Sequence, residues 1–393
     1  MRIMQTQKKI DEKPRFAPTL CLTHFCNLNC IYCYQKHDSH NRMSFETAKK
    51  CIDWIFNNIS EEYEGVELDF IGGEPLVEFE LIKKIFTYVK MNYPKEKVIF
   101  YATTNGTLLN DEMKEWFTQR KGCCVLGLSL DGKKETQDHN RSNSFDKIDL
   151  DFFLKNWPWQ GVKMTLSEFS LDHLAENIIY CHELGFEEVG GVNLFEGEFD
   201  WSDEKYIKKL IPQLEKLVEY YVEHDDIKVN QLLDRHIEAC EYSDRKEKRR
   251  WCGIGGGAVF FDVDGRKLPC TFCTPMTFDE KTLNDIVNTD FSKVDDFIDD
   301  ECFNNCYIYP TCPHCAGANY LTQKTFKTRA KTKCRIQKLV SLFAADLMAK
   351  RVLKNPDKYE DYRKNMIITA IEKIRELYLP EFKEYLDEEN DDV

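Results

Sequence analysis

Residues 18–34 read PTLCLTHFCNLNCIYCY, an apolar β-type run followed directly by a loop rich in cysteine. Cys26, Cys30 and Cys33 follow the run with the spacing CxxxCxxC. Parallel βα folds carry their chemistry on loops at the carboxyl ends of the strands, because those loops can vary without disturbing the core. The stretch therefore predicts the first strand of such a fold, with a metal-binding loop at its end.

The same alternation of short apolar runs and amphipathic helical patterns continues to about residue 225. The further strand patterns are VELDFIGG, VIFYATTNG, CCVLGLSLDG, VKMTLSEF and EEVGGVNLF. Six strands, each followed by a helical pattern, indicate an α/β fold with a parallel sheet or barrel. Nearly continuous apolar strands such as CCVLGLSL fit a sheet that is buried on both faces.

Composition excludes several classes of protein. The chain has 393 residues, a net charge of −14 and an acidic end, so a basic surface for nucleic acid is not expected. It contains no apolar run of the roughly 18 residues that a membrane span needs, and its start lacks the apolar core of a secretory signal. We expect a cytoplasmic protein, in which 17 cysteines indicate metal ligation in preference to disulfides.

A second group of cysteines lies after residue 245, where turns replace the regular patterns. Within it, AVFFDVDGRKLPC predicts a hairpin that turns at Asp264 and Gly265. We expect this segment, 245–340, to depend on bound metal for its fold, and helical patterns to return in 341–393. The cysteines of the group are Cys252, Cys270, Cys273, Cys302, Cys306, Cys312, Cys315 and Cys334.

The front cysteines suit an iron–sulfur cluster better than zinc. A structural zinc site takes four ligands, generally as two pairs, and His24 is awkwardly spaced for that role. Three thiolates can hold three corners of a [4Fe–4S] cube and leave one iron open. CxxxCxxC with Tyr32 before the last cysteine resembles the radical S-adenosylmethionine (SAM) superfamily, in which the open iron chelates SAM and a 5′-deoxyadenosyl radical abstracts hydrogen from the substrate.

Other motifs extend this resemblance over residues 18–235 and imply a partial (β/α)6 TIM-type barrel, preceded by an N-terminal extension at 1–17. FIGGEPL places Gly72, Gly73 and Glu74 where the family's GGEP segment meets the methionine amino group of SAM. The resemblance also implies that Ser129 bonds the SAM ribose and that Arg141 pairs with its carboxylate. Taken alone, these two residues would more often be a capping serine and a surface arginine.

The rear cysteines resemble the SPASM domain, a C-terminal extension of radical SAM enzymes with two auxiliary [4Fe–4S] clusters. By the family pattern, one cluster uses Cys252, Cys270 and Cys315, with Cys273 as its fourth ligand or as a spare. The other cluster then uses Cys302, Cys306, Cys312 and Cys334. The last gaps here are three, five and two, where the family usually has two, five and three. A zinc-ribbon-like structural domain is the alternative.

SPASM members include sulfatase-maturating enzymes and maturases of ribosomally made peptides. Thr271 stands where sulfatase maturases have an aspartate base, so we expect a peptide maturase that forms thioether or carbon–carbon crosslinks, resembling enzymes of CXXX-repeat precursors. A sulfatase-maturating enzyme or a radical SAM dehydrogenase is the alternative, and a non-enzymatic zinc-binding module a remote one. The resemblance implies a precursor peptide and a flavodoxin- or ferredoxin-type electron donor. The extension at 1–17 is too short for the leader-binding domain that many peptide maturases carry, so we expect leader recognition to come from the SPASM region, the C-terminal helices or a separate protein.

Overall fold

The structure is a computed structural model that describes residues 13–37, 39–194, 200–242, 248, 252–254 and 257–387. The six predicted strands are present, which confirms the βα pattern. They are β1 Pro18–Thr23, β2 Val66–Gly72, β3 Val98–Thr104, β4 Cys124–Leu128, β5 Val162–Leu166 and β6 Val189–Leu194. The helices between and after them are α1 Phe45–Asn57, α2 Phe79–Asn92, α3 Asp111–Thr118, α4 Lys134–Asn140, α5 Leu150–Asn156, α6 Glu168–Leu171, α7 Leu174–Glu183 and α8 Glu204–Glu223.

The helices begin where their sequences carry capping residues. Ser44 precedes α1, and its side chain accepts a hydrogen bond from the Thr47 backbone N–H, while Glu46 places a negative charge in the first turn. The apolar face of α1 is buried and includes the thiol of Cys51. Asn110 and Asp149 cap α3 and α5 in the same way.

The chain divides into two compact units. The first comprises residues 1–130, 137–163 and 252–292, and its sheet has the strand order β4-β3-β2-β1-β7-β8. The added strands are β7 Val259–Phe261 and β8 Lys267–Leu268, which pair in antiparallel fashion around Gly265 at φ +84°. This confirms the predicted hairpin. Because β7 pairs in parallel with β1, the hairpin also extends the sheet beyond β1.

The two faces of this sheet differ in burial. On one face, Leu68, Phe70, Phe100 and Ala102 are buried, and the Phe86 ring of α2 lies 5.1 Å from that of Phe100. The alternate residues of β2 and β3 are half-buried and several are polar. We call this second side the polar face; it is defined by Glu67, Asp69, Tyr101 and Thr103.

The second unit comprises residues 131–136, 164–251 and 293–393. Two long helices, α12 Lys331–Lys354 and α13 Asp361–Asp387, pack together with α8, and α12 begins ten residues before the predicted helical segment 341–393. Arg351 and Lys354 donate hydrogen bonds to carbonyl oxygens at the end of α8, where cations favour the helix dipole. The shorter helices are α9 Glu280–Val287 in the first unit, and α10 Asp300–Asn305 and α11 Ala316–Gln323 in the second. Among the described residues, no helix is long and apolar enough to cross a membrane.

Candidate active site

The front cysteine loop leaves the carboxyl end of β1 and is held by its own backbone. The Phe25 N–H donates to Thr23 Oγ1 at 3.1 Å, and the Cys33 N–H donates to the Cys30 carbonyl at 3.1 Å, which closes a tight turn. Cys26 and Cys30 are half-buried and Cys33 is exposed. Burial, followed by the negative charges of Glu74, Cys30 and Cys33, raises the pKa of Cys26 to about 11. A bound metal cation would replace the thiol proton and offset the repulsion between the Cys26 thiolate and these negative charges.

Cys33 has a different environment, because His37 contacts its sulfur. His37 Nε2 lies 3.2 Å from Cys33 Sγ, and His37 Nδ1 lies 3.1 Å from the His24 carbonyl oxygen. Burial alone would raise the pKa of Cys33, but the hydrogen bond from His37 and the positive charges of His37 and Arg141 bring that pKa below its ordinary value. Thiolate character favours metal ligation.

Gly72 and Gly73 lie directly against the cysteine loop. The Gly73 N–H donates to the Thr23 carbonyl, and the next N–H, of Glu74, donates to the Phe25 carbonyl, both at 3.0 Å. A Cβ built on Gly73 would lie 2.4 Å from the Phe25 carbonyl oxygen and 2.7 Å from the Cys26 nitrogen. Only glycine therefore allows the end of β2 to approach the loop this closely.

The Glu74 carboxylate ties the segment after β2 to the end of β3. It accepts hydrogen bonds from the Leu76 N–H at 3.0 Å, the Thr104 hydroxyl at 2.7 Å and the Asn105 N–H at 2.8 Å. Burial raises the pKa of Glu74 to about 7, although these three donors lower it. The predicted contact of this residue with SAM would therefore come through its backbone, since the carboxylate already bonds to protein groups.

The predicted SAM residues Tyr32, Ser129 and Arg141 lie in the same unit as the cysteine loop. The Arg141 guanidinium lies 5.3 Å from the centroid of the Tyr32 ring, and Arg141 is only 8% exposed. The loop is pinned to this segment, because the Ile31 N–H donates to the Asn140 carbonyl at 3.0 Å. The Ser129 N–H, which follows β4, donates to the Thr104 carbonyl at 2.9 Å.

His24 pairs with a residue far along the chain. Its Nε2 lies 2.7 Å from an oxygen of Asp262, which follows β7, and both side chains are buried. Ligand atoms of Cys21, His24 and Asp262 all lie within 4.8 Å of one another. Burial and the Asp262 charge raise the pKa of Cys21 well above its ordinary value, which suits a neutral buried thiol. The group joins the start of the cysteine loop to β7.

Three of the rear cysteines, Cys252, Cys270 and Cys273, belong to the first unit. Cys270 Sγ lies 3.6 Å from Cys273 Sγ, and this thiol contact lowers the pKa of Cys270 to about 7 against the effect of burial. Their loop contacts the front loop: the rings of Tyr34 and Phe272 stack with centroids 4.6 Å apart, and the Lys36 N–H donates to the Met276 carbonyl.

Four other rear cysteines line one cavity in the second unit. Burial and the neighbouring Cys334, Asp299, Cys306 and Cys312 raise the pKa of Cys302 to about 12. Such a set of half-buried sulfurs, whose thiolate forms repel one another, fits a metal centre, because a bound metal replaces the protons and offsets the negative charges. The cavity cysteines are Cys302, Cys306, Cys312 and Cys334, which are those predicted for one auxiliary cluster.

Two polar groups contact these sulfurs. Arg329 Nη1 donates to Cys312 Sγ at 2.8 Å, and the Tyr378 hydroxyl lies 3.8 Å from Cys306 Sγ. Arg329 is 8% exposed. Cys315, the last member of the group, belongs to the second unit, where its sulfur caps α11 by accepting from the Ala318 N–H. The ligand set Cys252, Cys270, Cys315 with Cys273 stays a prediction.

The sequence did not predict the contacts of His37, Arg329 and Asp262, and it did not single out Asp69. A signal for Asp69 exists, since VELDFIG alternates charged and apolar residues in a strand predicted to be buried on both faces. The contacts of the other three join residues that the local pattern does not relate.

Comparisons with known proteins support the resemblance. Residues 20–210 match the family model of the radical SAM superfamily. A cysteine-type anaerobic sulfatase-maturating enzyme of Clostridium perfringens is 25% identical over 271 residues, which is 63% of this chain and 71% of that protein. The subtilosin biosynthesis protein AlbA of Bacillus subtilis, named for an antilisterial bacteriocin, is 26% identical over 261 residues, which is 64% of this chain and 54% of that protein.

A solved structure shows the same fold. The structure of anSMEcpe with bound AdoMet and the Cp18Cys peptide has a TM-score of 0.64 and 19% sequence identity to this chain, covering 88% of this chain and 100% of the other. The curated relatives are matched over only part of their length, between 54% and 71% for the two named.

Proposed function

Because residues 20–210 of this chain are a radical SAM domain, we propose that the protein cleaves SAM reductively and uses it to modify a ribosomally made peptide. The modification would be a thioether or carbon–carbon crosslink. The observation that supports the chemistry most directly is the close approach of β2 to the cysteine loop, where Gly73 lies against the backbone of Phe25 and Cys26. It brings the glycines that would meet SAM against the loop that would hold the cluster.

A radical SAM domain implies one [4Fe–4S] cluster and SAM. Cys26, Cys30 and Cys33 would hold the cluster, and its open iron would bind SAM. The residues that would contact SAM are Tyr32, Gly72, Gly73, Glu74, Ser129 and Arg141. When bound, the cluster supplies the electron that cleaves SAM, and the protein's part is to position the substrate and exclude water.

We further propose two auxiliary [4Fe–4S] clusters. The four thiols of the second-unit cavity, Cys302, Cys306, Cys312 and Cys334, would hold one of them. Cys252, Cys270 and Cys315, with Cys273 as a candidate fourth ligand, would hold the other. Such clusters could accept the electron that is released when a carbon radical closes a crosslink.

Peptide crosslinking is preferred over sulfatase maturation because of the residue after Cys270. Thr271 carries a hydroxyl, which cannot accept a proton near neutral pH as a carboxylate can. The relationship to a subtilosin biosynthesis protein supports a ribosomally made peptide as substrate. The relationship to sulfatase-maturating enzymes, matched over 71% of one of them, keeps sulfatase maturation as the second candidate.

The proposed partners follow from this chemistry. The reduction of SAM requires one electron from outside the chain, so a flavodoxin or ferredoxin is the expected donor. The precursor peptide would be bound by this chain alone or with a separate leader-binding protein.

The proposal is tested with protein that is purified and reconstituted without oxygen. Three clusters predict about twelve irons per chain, whereas a zinc-binding module would contain zinc and no iron. With SAM and dithionite, the protein should form 5′-deoxyadenosine, and replacing Cys26, Cys30 and Cys33 together by alanine should abolish it. Modification of the peptide encoded by a short open reading frame beside the gene, followed by mass spectrometry, tests the substrate class against a sulfatase-derived peptide.

If the triple variant still forms 5′-deoxyadenosine, the assignment of the front cysteines is wrong. If only the sulfatase-derived peptide is modified, the protein is a sulfatase maturase and the crosslinking proposal fails.

A further inference from the structure

The polar face of the first unit's sheet carries a carboxylate whose role is not explained by the contacts of the fold. Asp69 lies in the middle of β2 and is paired in register with Tyr101 of β3. Its Oδ1 is buried, and within the described residues this atom has no hydrogen-bond partner. A buried acceptor without a donor destabilises a fold and is uncommon, so a native example calls for a functional explanation.

The nearest cation is engaged elsewhere. Lys163, at the start of β5, donates a hydrogen bond to Thr103 Oγ1, and its ammonium lies 5.1 Å from the centroid of the Tyr101 ring. Lys163 is close enough to influence Asp69 electrostatically, yet the described residues place no cation within ion-pair distance of that carboxylate. Lys163 therefore does not satisfy Asp69.

Gly127 of β4 leaves room for the side chain of Tyr101. A Cβ built on Gly127 would lie 2.1 Å from the Tyr101 phenol oxygen. The side-chain amide of Gln160 donates to that oxygen at 3.4 Å. Tyr101 and Lys163 are thus held in place, whereas Oδ1 of Asp69 meets no donor among the described residues.

Asp69 also lies close along the strand to the residues proposed to contact SAM. It precedes Gly72 by three residues on β2, so the two are about 10 Å apart along the strand at roughly 3.3 Å per residue. Ser129 forms a parallel bridge with Lys163, which brings the end of β4 to the same group. A peptide residue placed against the polar face would therefore lie near the proposed SAM site.

We propose that Asp69 is a catalytic residue that accepts the proton released from the peptide during modification; this rests on the proposed function. Joining a carbon to a second atom X breaks one C–H bond and one X–H bond and forms one C–X bond. One hydrogen atom passes to the 5′ carbon of SAM as SAM is cleaved with one electron from the external reductant. One electron passes to an iron–sulfur acceptor, and the remaining proton passes to Asp69 Oδ1.

The protonation behaviour of the site suits this role. Burial and the charge of Glu67 raise the pKa of Asp69 to about 7, and the charge of Lys163 lowers it. A general base works best when its pKa lies near the operating pH. Only the ionised carboxylate accepts the proton, so product formation should be fastest above pH 7 and should fall as the pH drops through about 7.

The test compares D69N with wild type and with D111N, which changes an exposed aspartate at the start of α3. The peptide is the one that wild type modifies, and iron content, 5′-deoxyadenosine and modified peptide are measured together from pH 5.5 to 8.5. For D69N we expect normal iron and normal 5′-deoxyadenosine, with modified peptide reduced by about 100-fold or more. We expect D111N to match wild type, and D69E to recover part of the activity with the pH dependence retained.

The outcomes distinguish the role of Asp69 from the proposed function. Equal product from D69N and wild type with the same pH profile would refute the role of Asp69 and leave the proposed function intact. A parallel loss of 5′-deoxyadenosine and product would refute proton acceptance and assign Asp69 to SAM or cluster binding. If wild type forms 5′-deoxyadenosine but modifies no peptide, the proposed function fails and the role of Asp69 fails with it.

Discussion

Replacing Gly73 by alanine should push the front cysteine loop away from the end of β2. The added Cβ would lie 2.4 Å from the Phe25 carbonyl oxygen, 2.5 Å from its carbon and 2.7 Å from the Cys26 nitrogen, whereas ordinary contacts begin at 3.4 Å. All three atoms are backbone, so no side chain can rotate away. The loop that carries Cys26 must therefore retreat by about 1 Å, and displacements of this size in reacting groups cost on the order of 100-fold in rate.

The assay is SAM cleavage by reconstituted protein under dithionite, measured as 5′-deoxyadenosine and normalised to iron content. The matched control is G122A, because a Cβ on Gly122 meets nothing within 4 Å. We expect the rate of 5′-deoxyadenosine formation to fall by about 100-fold in G73A and to match wild type in G122A. A G73A protein with full iron and wild-type cleavage would refute the reasoning that the close approach of β2 positions the loop.

Three further predictions concern buried contacts. Burial raises the pKa of Glu74 to about 7, above its unfolded value of 4.5, so its contribution to stability is present below pH 4.5 and is lost as the pH rises through 7. Urea unfolding of the reconstituted protein, kept free of oxygen, should show a decline of about 3 kcal/mol that E74Q lacks. D262A leaves buried His24 without its partner and should lower the free energy of unfolding by about 1–3 kcal/mol in the same assay, whereas an unchanged value would contradict the pairing. R329Q removes the positive charge 2.8 Å from Cys312 Sγ. It should lower the reduction potential of the cluster proposed for the second-unit cavity in an EPR-monitored titration, while R329K should retain most of the wild-type potential.

Much of the fold follows from short-range pattern. Strand and helix periodicities identified β1 to β6, and the turn residues Asp264 and Gly265 identified the hairpin, because these signals depend on neighbours a few residues apart. The same holds for the C-terminal helices. The pairing of β7 with β1 could not be predicted, because it joins segments more than 200 residues apart and no local rule specifies the partner of a strand.

The candidate site divides in the same way. The spacing of Cys26, Cys30 and Cys33 and the GGEP motif predicted a SAM and cluster site, because ligands on one tight loop are encoded by neighbouring residues. The four thiols of the second-unit cavity were also predicted as a set, by resemblance. The positions of Asp69 and Lys163 relative to each other were not predicted, since they lie on different strands.

By itself, the amino-acid sequence determined the order of strands and helices and the spacing of the cysteines. Tertiary structure alone decided which polar groups found partners: Glu74 gained three donors, Asp262 gained His24, and Oδ1 of Asp69 gained none within the part of the chain that the structure describes. The physical reason is that a hydrogen bond depends on distances of about 3 Å between atoms that can be far apart in the chain. Periodicity assigns a residue to a face of a sheet, and packing decides what it meets there.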